Sequence, residues 1–310
     1  MVGTTECFKI RLSYMTGSEM PEPWREIEDQ PTLLEIHFEK SFFLKNPIII
    51  VADPFLFVQD GELYLFYEEK RLCSPGVLRM IKTSDLKKWS EPVTVLEEPF
   101  HLSYPFVFED NGEVYMMPET SASGEVRLYK ASNKELTAFE QVSVLLTHND
   151  SDVPLTIDYS DSSICRYNNT YYLMSSINEG DGNQLLLYSA NSLFGPYTKH
   201  PSSPLVKSMK YGRDAGCISL WNGKLYRFAQ DCEKRYGDNV HVFEIKELSQ
   251  NNYKESLVSE HVLKENNQFY KRGGHQLNYV EFKGMLIVAT DAKEYRYYLK
   301  YLLDRISSKI

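Results

Sequence analysis

Five copies of one β-hairpin pattern recur along this chain of 310 residues. Each copy joins two apolar or aromatic runs through a two-residue turn, mostly of Asn, Asp and Gly, which adopt the positive φ angles that such turns require. The second turn residues lie 51, 57, 54 and 61 positions apart; they are Gly61, Gly112, Asn169, Gly223 and Gly284. A period of about 50 residues in strand-rich sequence is typical of a propeller with four strands per blade. The sequence therefore predicts an all-β, five-bladed β-propeller.

Residues 1–310 are expected to form one domain, with blades that start near positions 52, 103, 160, 213 and 274. The fifth repeat has 297–303 as its expected third strand and lacks an outer strand. Segment 1–45 contains two strand-like runs that can supply it, 8–14 and 33–38. We expect this N-terminal segment to close the ring, because closure removes exposed sheet edges.

The end of each hairpin away from its turn, here called the open end, carries polar side chains. In the first hairpin, counting outward from the turn at Asp60-Gly61 places Asp53 directly opposite Glu68. Like charges opposed across strands are unfavourable, so we favour a role in chemistry or ligand binding. The same positions in the other blades, with their neighbours, add a larger set: Tyr104, Glu119, Asp161, Arg213, Asp214, Gln230, Asp231, His275 and Asp291.

The first strand of every propeller blade lines the central axis, so the five open ends are expected to meet on one face. Carboxyl, imidazole and phenol groups around an axial funnel predict a sugar or cation site. Glycosidic chemistry needs one carboxylic acid to protonate the leaving oxygen and one carboxylate as base or nucleophile. A third charge nearby can tune the pKa of the acid. The alternative is that open ends are polar because they are solvated.

Composition narrows the class of ligand. A formal charge of −9 and a pI near 5.4 argue against a nucleic-acid binder or a protein that binds acidic membranes. Five cysteines, an odd number without a CxxC pair, suit reduced thiols in the cytoplasm. The N-terminus lacks the apolar core of a signal peptide, and no apolar run approaches 18 residues, so we expect no membrane span.

No metal or cofactor is predicted for catalysis. The seven histidines show neither an HExxH motif nor a paired metal spacing, which argues against a catalytic zinc site. No segment resembles an EF-hand loop. A structural calcium or sodium ion on the propeller axis stays open, because many oxygen ligands are expected to converge there.

Particular motifs carry a family resemblance. The run Ala52-Asp53-Pro54-Phe55, the Asp-Gly hairpin and the turns at 84–89 and 193–197 resemble the five-bladed propellers of family-43 glycoside hydrolases. A closer resemblance, over about 53–291, is to the N-terminal propeller of plant glucosamine inositolphosphorylceramide transferases and its bacterial relatives linked to surface polysaccharides. It is carried by the segments 101–109, 115–121 and 229–232.

The family-43 resemblance implies roles for single residues. It identifies Asp53 as the general base or nucleophile and Asp161 as the group that tunes the acid. The family's acid is a blade-four Glu in a Glu-Gly-Pro setting, but this chain has Gly212-Arg-Asp-Ala-Gly216 there. Asp214 and Glu119 are therefore the two candidates for the acid. The remaining open-end residues are expected to bind substrate: Glu68, Tyr104, Arg213, Gln230, Asp231, His275 and Asp291.

Two functions follow, and both have a carbohydrate or glycoconjugate as partner. The first is an enzyme that cleaves or transfers a glycosidic bond, which the retained carboxylates favour. The second is a non-catalytic glycan-binding module that assists a glycosyltransferase in surface-polysaccharide synthesis, which the missing Glu-Gly-Pro motif favours. We prefer the enzyme.

Overall fold

Twenty-one β-strands, arranged as five antiparallel sheets, make up the part of the chain that the computed structural model describes: residues 4–17, 20–148, 157–179 and 182–298. Each sheet is one propeller blade. Those same residues contain no α-helix, only two 3-10 turns at Ile27–Asp29 and Ser121–Ser123. The predicted five-bladed, all-β propeller is confirmed.

The strands follow the repeat order. Blade one has β3 (Ile48–Gln59), β4 (Glu62–Arg71), β5 (Gly76–Thr83) and β6 (Val93–Leu96). Blade two has β7 (Ser103–Asp110), β8 (Glu113–Glu119), β9 (Glu125–Ala131) and β10 (Phe139–Thr147). Blade three has β11 (Tyr159–Tyr167), β12 (Thr170–Glu179), β13 (Gly182–Ala190) and β14 (Thr198–Lys199), and β15 (Val206–Lys207) also pairs with β13.

Blade four has β16 (Ser219–Trp221), β17 (Lys224–Asp231), β18 (Asn239–Leu248) and β19 (Tyr253–Ser259). Blade five contains β20 (Leu277–Phe282) and β21 (Met285–Arg296), followed by β1 (Thr5–Thr16) and β2 (Thr32–Ile36) from the N-terminal segment. That segment therefore supplies both outer positions, not the outer strand alone. The third position was predicted for 297–303, but β1 takes it by pairing with β21 along its whole length. Residues 299–303 lie outside the described part of the chain.

All five hairpins between the first two strands of a blade have the turn that their sequence predicts. Both turn residues have φ between 47° and 79° in every case, including Lys283, the one turn residue that is not Asp, Asn or Gly. This is the geometry of a two-residue turn whose twist matches that of the flanking strands. The turns therefore fix the register of each hairpin.

A β-bulge changes the register at the open end of three blades. Ala52, not Asp53, pairs with Glu68, because the register shifts between Ala52 and Phe55. Corresponding shifts follow Ser103 and Ser160. The bulged residues Asp53, Tyr104 and Asp161 have φ of 51°, 49° and 48°. The expectation that Asp53 lies directly opposite Glu68 is therefore wrong by one residue, and bulges of this kind re-aim side chains.

The core consists of apolar layers between neighbouring blades. Each of the six buried clusters among the described residues joins adjacent sheets, for example Phe66 of blade one with Met116 of blade two. Leu12 and Ile287 of blade five pack in one cluster with Leu65 of blade one, which seals the ring. All five cysteines are free. None of the described helical segments has the length and hydropathy to cross a membrane.

Candidate functional site

Residues from all five blades surround a small cavity of about 150 Å³ at the open ends of the hairpins. Contributions from every blade place this cavity on the propeller axis. Six of its twelve lining residues were predicted from the sequence: Asp53, Glu68, Glu119, Asp161, Arg213 and His275. The other six are Glu6, Phe8, Ile50, Ser103, His101 and Tyr236.

Four blade junctions are joined near this cavity by a backbone N–H that donates to a side chain of the preceding blade. Asp161 N donates to Glu119 Oε2 over 3.1 Å, and Asp214 N donates to Ser176 Oγ over 3.0 Å. Asp53 N donates to Asp291 Oδ2 over 3.3 Å. In these three junctions the acceptor is the residue seven positions after the second turn residue. Such bonds satisfy buried backbone donors. The side-chain oxygens that accept them therefore have a structural role at the blade junctions.

Glu68 is the exception to this pattern. It occupies the same position in blade one, but Tyr104 N donates to Asp53 Oδ2 instead, over 3.1 Å. The Glu68 side chain is only 6% exposed, and its Oε1 atom has no hydrogen-bond partner among the described residues. Burial, and then the nearby Asp53 carboxylate, raise the pKa of Glu68 well above its usual value. A buried carboxyl with a raised pKa and an unpartnered oxygen therefore faces the cavity.

His101 lies beside Glu68 and was not predicted as a site residue. Gly76 N donates to His101 Nδ1 over 2.8 Å, so the proton of the neutral ring is on Nε2. That Nε2 atom lies 3.5 Å from Glu68 Oε1, beyond a well-formed hydrogen bond. Burial, with a contribution from Lys70, lowers the pKa of His101. His101 thus presents a neutral N–H donor towards Glu68.

His275 is a buried cation at the other wall of the cavity. Its Nδ1 atom lies 2.6 Å from Asp291 Oδ2 and 3.5 Å from Asp53 Oδ1. Burial alone would lower the pKa of His275, but Asp291 and Asp53 raise it to about 9. Phe8, from the N-terminal strand, stacks on the imidazole with ring centroids 4.5 Å apart. This stacking holds the cation in place.

Asp53 is the carboxylate that this cation faces. Burial raises the pKa of Asp53 to about 6, although His275 and the N–H of Tyr104 favour the ionised form. Asp291 and Glu119 add to the upward shift because they are also acidic. Asp53 therefore titrates close to neutral pH, where a general base works best.

Arg213 joins the remaining two carboxyls. Its Nε atom lies 2.5 Å from Asp161 Oδ2, and its Nη2 atom lies 3.5 Å from Glu119 Oε2. Burial raises the pKa of Asp161, while the Arg213 guanidinium opposes that shift. The exposed ring of Tyr236, in the loop between β17 and β18, covers the guanidinium at 5.3 Å. This arrangement fixes a positive group between two acidic ones.

Five predicted residues do not line the cavity. Tyr104 and Asp291 are buried behind it, where they contact Asp53 through the bonds already described. Asp214, expected as a candidate acid, instead lies 3.7 Å from the fully buried Arg227. Burial raises the pKa of Asp214 to about 7. Gln230 and Asp231 are buried elsewhere in blade four. Arg213 and Asp214 are consecutive residues between β15 and β16, yet only Arg213 reaches the cavity, because Asp214 lies against Arg227.

The axial calcium or sodium ion that the sequence leaves open would have Asp53, His275 and Asp291 as candidate ligands. One ligand atom from each lies within 4.8 Å of the others. Calcium takes six to eight oxygen ligands, whereas this group offers two carboxylates and an imidazolium already bonded to Asp291. The residues therefore do not fit calcium, and the positive charge there is supplied by His275.

Comparisons with known proteins agree with the sequence motifs. The profile of the family described as glucosamine inositolphosphorylceramide transferase 1, N-terminal, matches residues 40–290. The transferase of Arabidopsis thaliana is 36% identical over 220 residues, covering 68% of this chain and 28% of that protein. The transferase of Oryza sativa subsp. japonica is 36% identical over 224 residues, covering 69% of this chain and 28% of that protein. The chain thus corresponds to less than a third of the length of these transferases.

Solved structures show the same fold. An α-L-arabinofuranosidase from Clostridium thermocellum superposes with a TM-score of 0.55 at 15% identity, covering 76% of this chain and 80% of that one. A family-117 glycoside hydrolase of Zobellia galactanivorans gives a TM-score of 0.52 at 11% identity, covering 83% and 89%. Identities this low show shared architecture alone. The family match and the two transferases go further: this chain belongs to the family of the N-terminal domain of glucosamine inositolphosphorylceramide transferase 1.

Proposed function

We propose that this propeller is a carbohydrate-active domain that takes one sugar residue of a glycan into the axial cavity and cleaves or transfers its glycosidic bond. The observation that carries the proposal is the buried Glu68 carboxyl, whose Oε1 atom has no hydrogen-bond partner among the described residues and which lies near Asp53 in the cavity. A cavity of about 150 Å³ is below the range of drug-sized ligand pockets, which suits a single sugar ring.

Glu68 is the proton donor in this proposal. Burial and the Asp53 carboxylate raise the pKa of its carboxyl well above the usual value, which is the direction that a general acid requires. It gives that proton to the glycosidic oxygen as the bond to the anomeric carbon breaks. The sequence suggested Asp214 or Glu119 for this step, but Asp214 lies outside the cavity and Glu119 already accepts the Asp161 N–H and faces Arg213.

Asp53 is the base or nucleophile. As a carboxylate it either takes a proton from the attacking water or attacks the anomeric carbon, and the separation of the two working carboxyls decides between inversion and retention. The His275 cation stabilises ionised Asp53. Asp161 and Arg213 orient the sugar hydroxyls. Because they form an ion pair with each other, neither leaves an unpaired charge buried in the cavity wall.

One observation favours a second function. Blade four lacks a carboxyl at the cavity, since Asp214 is paired with Arg227. A glycan-binding domain that assists a glycosyltransferase needs no acid at that position. Relatives named as transferases, of which this chain corresponds to 28%, are consistent with a partner catalytic region.

The deciding experiment measures glycan binding and turnover for the wild type, Glu68→Gln and Asp53→Asn on a glycan array with product detection. Asp60→Asn is the matched control, because Asp60 is exposed at the far end of the same hairpin and Asn tolerates its φ of 49°. We expect both cavity variants to lose turnover by about 10²-fold or more while binding persists. Binding by the wild type without turnover on any glycan would reject the enzyme and support the binding domain.

A further inference from the structure

We propose that Asp231, His241 and His261 form a binding site for zinc or another late transition metal ion on blade four, outside the axial cavity. Asp231 Oδ2 lies 3.0 Å from His241 Nε2 and 3.4 Å from His261 Nε2. One ligand atom from each residue lies within 4.8 Å of the others. None of the three lines the cavity.

The two separations from Asp231 Oδ2 are close to those between ligand atoms of zinc. Zinc binds imidazole nitrogen and carboxylate oxygen at about 2.0–2.2 Å, usually in a tetrahedron. Two ligand atoms of such a tetrahedron are about 3.3 Å apart, as that bond length requires. The two distances from Asp231 Oδ2 bracket this value, so a metal ion needs little rearrangement of the carboxylate. Two imidazoles and one carboxylate suit zinc or another late transition metal better than calcium or magnesium.

The Asp231 carboxylate is already oriented for this role. Glu233 N donates to Asp231 Oδ1 over 2.9 Å, which holds one oxygen of the carboxylate. This leaves Oδ2 facing both imidazoles.

A hydrogen bond competes with the metal. His261 N faces His241 Nδ1 at 3.4 Å, which places the proton of neutral His241 on Nε2, towards Asp231. Coordination through Nε2 moves that proton to Nδ1 and breaks the contact with His261 N. A contact of 3.4 Å is weak, so the loss is small. We therefore expect metal binding of moderate affinity, with a dissociation constant in the micromolar range.

An entry path and an open coordination position are both present at His261. Its side chain is 46% exposed, whereas the side chains of His241 and Asp231 are buried. A metal ion can reach the group from solvent and keep water as a fourth ligand. Zinc sites with three protein ligands have this form.

The site lies at the base of the loop that carries Tyr236. Asp231 ends β17, and its carbonyl accepts the N–H of Asp238 over 2.8 Å, which closes the loop 232–238. His241 lies near the start of β18, and His261 follows β19. A bound metal would join three segments of blade four and brace the loop that places Tyr236 over Arg213.

The test uses untagged, metal-stripped protein titrated with zinc chloride by calorimetry and with cobalt chloride by visible absorption. His261→Ala is the main variant, because removal of a half-exposed side chain leaves the core intact. Asp231→Asn is the second variant. His37→Ala is the matched control, since His37 is an exposed histidine that also faces a carboxylate, Glu35 at 2.9 Å.

We expect the wild type and His37→Ala to bind one equivalent of zinc, and His261→Ala and Asp231→Asn to bind at least about tenfold more weakly. Cobalt should give the strong visible bands of a four-coordinate ion in the wild type. The variants His261→Ala and Asp231→Asn should not show these bands. Zinc should raise the melting temperature of the wild type more than that of His261→Ala. The proposal is overturned if the wild type binds no zinc at about 100 μM, or if His261→Ala binds it as tightly as the wild type does.

Discussion

Tyr104 donates its backbone N–H to Oδ2 of Asp53 across 3.1 Å, and this bond joins the first two blades. At three other junctions the acceptor comes from the position that Glu68 occupies in blade one. Because Asp53 serves the first junction instead, Glu68 has no part in holding the blades together. Asp53, Glu119 and Asp291 thus accept hydrogen bonds that join the blades, whereas the carboxyl of Glu68 is available to a ligand.

Glu68 and Glu119 should therefore differ in their effect on stability. Glu68→Gln removes a buried carboxyl that has an unpaired oxygen, so the free energy of unfolding should stay equal or rise. Glu119→Ala leaves the Asp161 N–H without its acceptor and should lower that free energy by about 1–3 kcal/mol. Urea unfolding at neutral pH measures both. Equal destabilisation by the two variants would show that Glu68 is also structural.

His275 should make the stability of the protein depend on pH. Its folded-state pKa of about 9 lies above its usual value of 6.5, so the folded state holds this proton more tightly. The resulting stabilisation is complete below pH 6.5 and disappears as the pH rises through 9. Over that window it amounts to roughly 3 kcal/mol.

The measurement is urea unfolding of the wild type and His275→Gln at several pH values from about 6 to 10. The wild type should lose stability across this range, and His275→Gln should lose much less. His37→Gln, an exposed histidine beside Glu35, should behave as the wild type does. Parallel pH curves for the wild type and His275→Gln would contradict the assignment of a buried cation.

Ring closure should depend on the buried face of β1. Leu12 is fully buried in the cluster that joins blade five to blade one. Leu12→Ala should lower the free energy of unfolding by about 2–5 kcal/mol, because it leaves a cavity at that interface. Val58→Ala, at a partly exposed position on β3, should have a much smaller effect. Similar losses in both variants would mean that the N-terminal strand adds little to the ring.

The sequence predicts the fold well because the turns are local. The hairpin turns require positive φ. Four of the five turns consist of Asn, Asp or Gly, the residues that adopt this conformation most readily, and the fifth has Lys283 as its first residue. The period between the turns then gives the number of blades. Counting back eight residues from the second turn residue also selects Asp53 and Asp161, which both line the cavity.

What the sequence does not predict depends on contacts between distant segments. A bulge adds one residue without a compositional signal, so Asp53 was placed opposite Glu68. Phe8 reaches His275 only because β1 completes blade five. Tyr236 lies in a loop, outside the repeat pattern. His101 belongs to the segment 101–109 that carries the family resemblance, and that motif was the one available signal for it.

The order in which the chain is synthesised gives the closing strand a further consequence. β1 emerges first, yet its partner β21 is among the last strands to be made. Until then β1 lacks its partner, and Phe8 and Glu6 cannot complete the cavity wall. Closing so long a loop carries an entropic cost that local hairpins avoid. A nascent chain can therefore form its first four blades and still lack a complete axial cavity, which arises only when the ring closes.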